Sequence, residues 1–185
     1  PLTLATFTHK TPLYALCSRA NFAAMGESAH DFLTIAVENE RGTERLAAKL
    51  ARVLAVGDVV LLDGTLGAGK TAFCRALVRA VLGDPHAIVA SPTFTFSQIY
   101  SAPSLTVTHF DLYRMGEAEE VFDLGWDDAL DEGATLVEWP ERLGSLRPAA
   151  ALHITLELDA ARETFRRFHF HGSEAWAERL AGVSA

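Results

Sequence analysis

Short apolar runs and segments with helical periodicity follow one another along this chain of 185 residues. The continuous apolar run at residues 59–62 is typical of a parallel strand buried on both faces. Residues 70–82 place Phe73, Leu77 and Val81 on one side and stop before Gly83, which predicts an amphipathic helix. A second apolar strand is predicted over residues 134–138. The pattern predicts an α/β domain with a mostly parallel sheet.

Further strands and one helix are predicted around this centre. Residues 31–37 predict a strand and residues 39–42 a turn, after which Thr43 would cap a helix over residues 44–55. Residues 96–112 predict a hairpin around a Pro-containing turn.

Strict alternation over residues 152–158, followed by a second arm over residues 164–171, predicts an antiparallel addition to the sheet. The predicted architecture has three layers, with helices on both faces of the sheet.

Residues 64–71 read Gly-Thr-Leu-Gly-Ala-Gly-Lys-Thr and fit the phosphate-binding loop pattern Gly-x-x-x-x-Gly-Lys-[Ser/Thr] between a strand and a helix. Glycines let backbone N–H groups turn inward around an anion, and the following helix adds the positive end of its dipole. Lys70 supplies a mobile charge for the β and γ phosphates, and Thr71 a hydroxyl for Mg²⁺. The loop residues expected to bind the nucleotide are Gly67, Ala68, Gly69, Lys70 and Thr71.

Two carboxylates stand near predicted strand ends. In phosphate-loop proteins a strand beside the loop strand typically ends in an acidic residue that reaches Mg²⁺ or the attacking water. Glu138, which ends the strand over residues 134–138, is the first candidate, and Asp111 is the second. We expect Lys70, Asp111 and Glu138 to be catalytic. Which carboxylate orients the water stays open.

Hydroxyl side chains recur at Ser91, Thr93 and Thr95. In an extended segment they would share one side. Two interpretations stay open. Either this side faces the nucleotide, or the segment is the start of a strand in which threonine occurs only because of its high β propensity.

Composition limits the class of protein. With 49% hydrophobic and 22% charged residues, and no apolar run of about 18 residues, the chain is typical of a soluble globular domain. The net charge of -8 argues against a protein that holds nucleic acid chiefly through its own surface. Contact with nucleic acid through a partner stays open. Cys17 and Cys74 are too few for a disulfide framework, which favours a reduced cytoplasmic protein.

Residues 1–30 show no sustained periodicity. We expect a poorly ordered extension or a start codon assigned too far upstream, because Lys10 and Arg19 are too few basic residues for a targeting peptide. Residues 31–185 are expected to form a single domain.

Four sequence blocks, taken in order, resemble one family. They are residues 66–71 (Leu-Gly-Ala-Gly-Lys-Thr), 91–95 (Ser-Pro-Thr-Phe-Thr), 109–114 (His-Phe-Asp-Leu-Tyr-Arg) and 136–141 (Leu-Val-Glu-Trp-Pro-Glu). The chain resembles the TsaE (YjeE) ATPases of bacterial tRNA threonylcarbamoyladenosine (t6A) biosynthesis from about residue 31 to the C-terminus.

The resemblance implies a small phosphate-loop domain that binds ATP and Mg²⁺. It implies partners, the TsaB and TsaD proteins, which transfer threonylcarbamoyl to adenosine 37 of tRNAs reading ANN codons. Contact with tRNA would then be indirect, turnover by the isolated chain slow, and the chain alone a monomer or weakly self-associating.

The resemblance also assigns site residues. The family's Mg²⁺ positions fall on Thr71 and Glu138, and the block at residues 91–95 behaves as a switch. The regions of Thr43 and Arg162 match parts of relatives that approach the nucleotide. Two positions depart from the family pattern: Thr65 stands where the family usually has Asp, and Ala72 where a second Thr is common.

The sequence also bears on three alternative functions. A small-metabolite kinase would need an acceptor pocket and an arginine-bearing lid. Arg142, Arg147, Arg166 and Arg167 could serve, but no arginine cluster flanked by glycines indicates a lid. A GTPase is disfavoured because no lysine stands in the turn that reads guanine. A nucleotide-gated binding module that seldom hydrolyses ATP is poorly separated from an ATPase by sequence.

Overall fold

The computed structural model describes residues 30–183, so the predictions for the N-terminal extension lie outside the described residues. The strands are β1 His30–Val37, β2 Val59–Asp63, β3 Ser97–Ser101, β4 Thr106–Asp111, β5 Ala134–Glu138, β6 Leu152–Leu158 and β7 Arg166–Gly172. The α-helices are α1 Glu40–Ala51, α2 Lys70–Leu82, α3 Trp126–Glu132 and α4 Glu174–Leu180, with 3-10 segments at Ala118–Leu124 and Pro140–Leu146.

All seven strands form one sheet in the order β1-β7-β6-β2-β5-β4-β3. Strands β6, β2, β5 and β4 run parallel, with β2 near the middle. β7 and β1 extend one edge in antiparallel fashion, and β3 extends the other. The predicted parallel sheet with antiparallel additions is therefore confirmed, including the hairpin of β3 and β4.

Two hydrophobic cores lie on the two faces of the sheet. On one face α1 and α2 cover the strands, where Phe73 of α2 packs against Phe168 of β7 with ring centroids 5.2 Å apart. On the other face α3 and the 3-10 segments cover β2, β5 and β4, where Phe110 meets Trp126 edge-on at 5.4 Å. The three-layer architecture follows because a sheet buried in its middle needs apolar cover on both faces.

The start of α1 corrects the predicted turn at residues 39–42. The helix begins at Glu40, and Asn39 is its N-cap, whose side-chain oxygen accepts a hydrogen bond from the Gly42 amide at 3.2 Å. Thr43 lies inside the first turn of α1 and is buried. Asn is as good a cap as Ser or Thr, so local sequence did not distinguish the two positions.

Residues 91–96 also differ from expectation. The segment is turned rather than extended, and the Phe96 amide donates to the Pro92 carbonyl at 2.6 Å. Phe96 has a φ of 62°, which side-chain-bearing residues seldom adopt. The hydroxyls at positions 91, 93 and 95 therefore do not form one row.

None of the helices within residues 30–183 has the length and apolarity that crossing a membrane requires.

A buried histidine on β6 predicts a pH-dependent stability. Burial, with Arg147 nearby, lowers the pKa of His153 from 6.5 to about 4. Between these two values the folded state binds fewer protons than the unfolded state. The contribution of neutral, buried His153 to the free energy of unfolding is therefore complete above pH 6.5. It is lost as the pH falls toward 4, at about 1.4 kcal/mol per pH unit.

Replacing His153 by Leu should remove this part of the pH dependence. Urea unfolding of the parent and of His153→Leu between pH 4 and pH 7 measures it as a difference, which cancels the contributions of other groups. His86→Leu, at an exposed position, controls for the general effect of replacing a histidine by leucine. Identical slopes for the parent and His153→Leu would contradict the prediction.

Candidate functional site

A cleft of about 250 Å³ opens at the carboxyl edge of the parallel strands. Its walls are residues 66–72 and the side chains of Thr93, Asp111, Tyr113, Glu138 and Trp139. The sheet register explains the convergence, because Glu138 of β5 is paired with Leu62 of β2 on one side and Asp111 of β4 on the other. Ligands of open α/β sheets bind at this edge.

The phosphate-binding loop (residues 64–71) needs glycine at positions 64 and 69. Gly64 has a φ of 144°, and a Cβ there would lie 2.7 Å from the Leu156 carbonyl oxygen. Gly69, with a φ of 105°, is the N-cap of α2 and has no side chain to block the approach of an anion. The loop therefore wraps the start of α2, where free amides and the helix dipole favour negative charge.

Lys70 is buried at the base of the cleft. Its ammonium donates to the carbonyls of Gly64 at 2.6 Å and Thr65 at 3.1 Å. Burial lowers the pKa of Lys70, while Glu138, Glu141, Asp111 and Asp63 oppose that shift. The acidic groups favour the protonated form of Lys70, and the neutral carbonyls leave its charge available to an anion.

Asp63, which ends β2, is a second perturbed group beside the loop. Burial, followed by the charge of Glu141, raises its pKa from 3.8 to about 6. Arg147 and Lys70 act in the opposite direction.

Trp139 closes the cleft over Lys70. The lysine Nζ lies 3.5 Å from the centroid of the Trp139 ring, and the Tyr113 ring lies 4.8 Å from the same ring. Trp139 has a φ of 61°, although it carries a side chain and precedes Pro140. Such backbone strain is concentrated at functional sites, and here it places an aromatic face against the cation.

Thr71 and Glu138 are brought into direct contact. The Thr71 hydroxyl donates to Oε2 of Glu138 at 2.8 Å, and Oε1 lies 2.9 Å from Nε2 of His109. Glu138 and His109 are almost fully buried. The hydroxyl and the carboxylate together supply the hard oxygen ligands that Mg²⁺ prefers.

Asp111 connects the cleft to residues 91–95. Its Oδ2 accepts from the Thr93 hydroxyl at 2.6 Å, and its Oδ1 accepts from the Tyr113 amide at 3.2 Å. The Ser91 and Thr93 hydroxyls lie 2.9 Å apart, which extends the chain of hydrogen bonds outward. Thr95 is exposed and does not line the cleft.

Two residues that the family resemblance implied lie outside this cleft. Thr43 is enclosed in the first turn of α1. Arg162 is exposed, with its guanidinium 2.9 Å from the Asp159 carboxylate and 3.4 Å from the centroid of the Phe165 ring.

The structure adds residues that the motif patterns did not single out. His109 and Trp139 belong to the recognised blocks, but only the folded chain shows that one holds Glu138 and the other covers Lys70. Arg166 of β7 reaches the loop from outside, donating from Nε to the Ala68 carbonyl at 2.9 Å. Sequence separation hides this contact.

Comparison with known proteins assigns the family. The model of the TsaE family, described as threonylcarbamoyl adenosine biosynthesis protein TsaE, matches residues 37–167, a span that contains every residue of the cleft. The chain belongs to the TsaE family. The resemblance carried by the four sequence blocks is thereby confirmed.

Individual relatives and a solved structure are similar to this chain. A protein from Rickettsia conorii, named tRNA threonylcarbamoyladenosine biosynthesis protein TsaE, is 40% identical over 121 residues, covering 65% of this chain and 69% of the relative. One of the same name from Aquifex aeolicus is 39% identical over 108 residues, covering 58% and 77%. The crystal structure of Bacillus subtilis YdiB has a TM-score of 0.63 at 28% identity, covering 80% of this chain and 90% of that one.

The buried pair of His109 and Glu138 gives a prediction for this TsaE chain. Replacing His109 by Phe leaves a buried carboxylate oxygen without its donor, which should lower the free energy of unfolding by about 3 kcal/mol. Urea unfolding measures the loss.

His109→Gln is the matched control, since its amide can still donate to Glu138 and should cost less. In a Glu138→Leu background the His109→Phe penalty should shrink, because the carboxylate that needed the donor is gone. An equal penalty in both backgrounds would contradict the pairing.

Proposed function

We propose that this chain is a slowly hydrolysing, Mg²⁺-dependent ATPase that assists t6A formation at position 37 of tRNAs reading ANN codons. It acts in the cytoplasm on a complex of TsaB and TsaD homologues. The observation that carries the proposal is the 2.8 Å contact between the Thr71 hydroxyl and the Glu138 carboxylate, beside a phosphate-binding loop with its lysine in place.

The loop and α2 support binding of the phosphates. Loop amides and the α2 dipole favour the phosphate charge, and Lys70 can move from the Gly64 and Thr65 carbonyls to the β and γ oxygens. The aromatic face of Trp139 limits access of water to the lysine. Thr65 contributes a backbone carbonyl to this arrangement, so the absence of the family's Asp leaves the lysine contacts intact.

Thr71 and Glu138 are the residues that would hold Mg²⁺. Their oxygens already lie within hydrogen-bond distance, and His109 fixes the far oxygen of the carboxylate, as partners of metal ligands commonly do. When bound, the ion neutralises charge on the phosphates and orients them.

We assign the water-orienting role to Asp111. Of the two carboxylates that line the cleft, Glu138 would hold Mg²⁺ together with Thr71, which leaves Asp111 for the water. Asp111 accepts from Thr93, which belongs to the turn at residues 91–96. A turn joined to the carboxylate by a hydroxyl can report the state of the nucleotide to a partner surface.

The partner role is supported by family and by charge. Relatives at 36–40% identity carry the name tRNA threonylcarbamoyladenosine biosynthesis protein TsaE. A net charge of -8 disfavours direct binding of tRNA, so contact with tRNA passes through the partners. Turnover is slow in the isolated chain because the partner completes the site.

The metabolite kinase receives less support. It requires arginines that close on the phosphates, and among residues 30–183 none of the residues lining the cleft is an arginine. Arg166 donates to the backbone carbonyl of Ala68 and does not line the cleft, and Arg167 contacts Glu157 and Asp159.

Lys70 gives the first functional prediction. Lys70→Ala should weaken ATP binding by about 10- to 100-fold, because a charge-assisted contact to the phosphates is lost. Calorimetric titration with ATP and Mg²⁺ measures the effect. Lys49→Ala is the control, since Lys49 donates to the Val183 carbonyl away from the cleft. Equal ATP affinity in the parent and in Lys70→Ala would refute the assigned site.

Glu138 separates an ATPase from a nucleotide-gated binding module. Glu138→Gln should retain ATP binding but lose most of the turnover that TsaB and TsaD homologues stimulate, and t6A formation should fall with it. The measurement is phosphate release with the partners present and absent. Full t6A formation without hydrolysis would favour the binding module, and fast turnover by the isolated parent, with no gain from partners, would refute the coupling.

A further inference from the structure

Adjacent arginines at the start of β7 point to opposite faces of the sheet. Arg167 contacts Glu157 at 3.7 Å and Asp159 at 3.6 Å. Arg166, on the face covered by α1 and α2, instead donates from Nε to the Ala68 carbonyl at 2.9 Å. The alternation of a strand explains why only one of the two arginines reaches the phosphate-binding loop.

The Arg166 side chain is held in a fixed position. Its NH1 group donates to the carbonyls of Glu163 at 2.6 Å and Phe165 at 2.9 Å, while Nε takes the loop carbonyl. A planar guanidinium can donate these three hydrogen bonds together, whereas a lysine ammonium lacks the forked arrangement of N–H groups.

The contact fixes one peptide plane of the loop. The peptide bonds of the described residues are trans, so the Ala68 C=O and the Gly69 N–H point in opposite directions. The carbonyl is directed outward to Arg166. The Gly69 amide is therefore directed away from Arg166, and Gly69 lines the cleft.

The Gly69 amide is available to a ligand. Within residues 30–183 the hydrogen bonds between backbone groups include none donated by this amide, although the Ala68 amide donates to Thr65. A cationic group on the carbonyl side of a peptide also strengthens the donor on the other side, since linked hydrogen bonds polarise one another.

We propose that Arg166 is a positioning residue for the phosphate-binding loop. It holds the Ala68–Gly69 peptide with the Gly69 amide facing the phosphates of a bound nucleoside triphosphate. This inference rests on the proposed function. It gives β7, the strand that begins the antiparallel extension of the sheet, a role at the nucleotide site that the loop motif alone does not contain.

The test compares Arg166→Ala, Arg166→Lys and the neighbouring control Arg167→Ala. ATP affinity in the presence of Mg²⁺ is measured by calorimetry, and the shift of the Gly69 amide on ATP addition is measured by NMR of ¹⁵N-labelled protein. Thermal melting in the absence of nucleotide shows whether each variant is folded. Arg166→Ala should raise the Kd for ATP about 10-fold, the effect of losing one charge-assisted hydrogen bond that preorganises the site.

The Gly69 shift should be reduced in Arg166→Ala, restored in part by Arg166→Lys, and unchanged in Arg167→Ala. Should Arg166→Ala fail to fold, the Lys variant carries the comparison, because it keeps the charge and loses the fork. Unchanged ATP affinity and an unchanged Gly69 shift in the folded Arg166 variants would overturn the inference while leaving the proposed function intact. A parent chain that binds no ATP would overturn both.

Discussion

The carboxylate of Glu138 is buried at the carboxyl edge of the sheet, and the arrangement of the site depends on how its charge is satisfied. A buried carboxylate is tolerated only with partners for its oxygens. One oxygen accepts from Thr71 at the start of α2, and the other is 2.9 Å from His109 of β4. Three elements are thus tied together at one group, and the cleft lies directly beside it.

The buried charge of Lys70 also has partners within the protein. In the absence of phosphates its ammonium is satisfied by two loop carbonyls and by the face of Trp139. These neutral partners keep the charge of the ammonium beside the loop without neutralising it, so only the lysine side chain has to turn from the carbonyls to the oxygens of an incoming phosphate. Preorganised charge of this kind costs little rearrangement when the ligand binds.

Local sequence predicted the central part of the fold well. The helix over residues 70–82 and the strand ending at Glu138 are confirmed with the predicted limits, because an apolar period, a phosphate-loop motif and a terminating Gly83 agree there. Local sequence does not predict Asn39 as the cap, because the residues that follow it are also compatible with a turn. The turn at residues 91–96 depends on a positive φ at Phe96, which no sequence pattern reveals.

The candidate site likewise contains residues that the sequence predicts and residues that only the fold reveals. The loop, Lys70, Thr71 and Glu138 follow from motif chemistry, since neighbouring residues or strand ends place them. The roles of His109, Trp139 and Arg166 arise from contacts between distant segments, such as the 2.9 Å bond from Arg166 to Ala68. Only the order of strands in the sheet brings these segments together.

We propose that Thr71 and Glu138 form the metal site of a nucleotide-binding cleft. The most direct test is a crystal structure with a non-hydrolysable ATP analogue and Mn²⁺ in place of Mg²⁺, located by anomalous scattering. We predict a Mn²⁺ peak in contact with the Thr71 hydroxyl and beside the Glu138 carboxylate, with the hydrogen bond between them opened. A nucleotide bound in the loop with Mn²⁺ absent from these two side chains would contradict the assignment of Thr71 and Glu138 as the metal site.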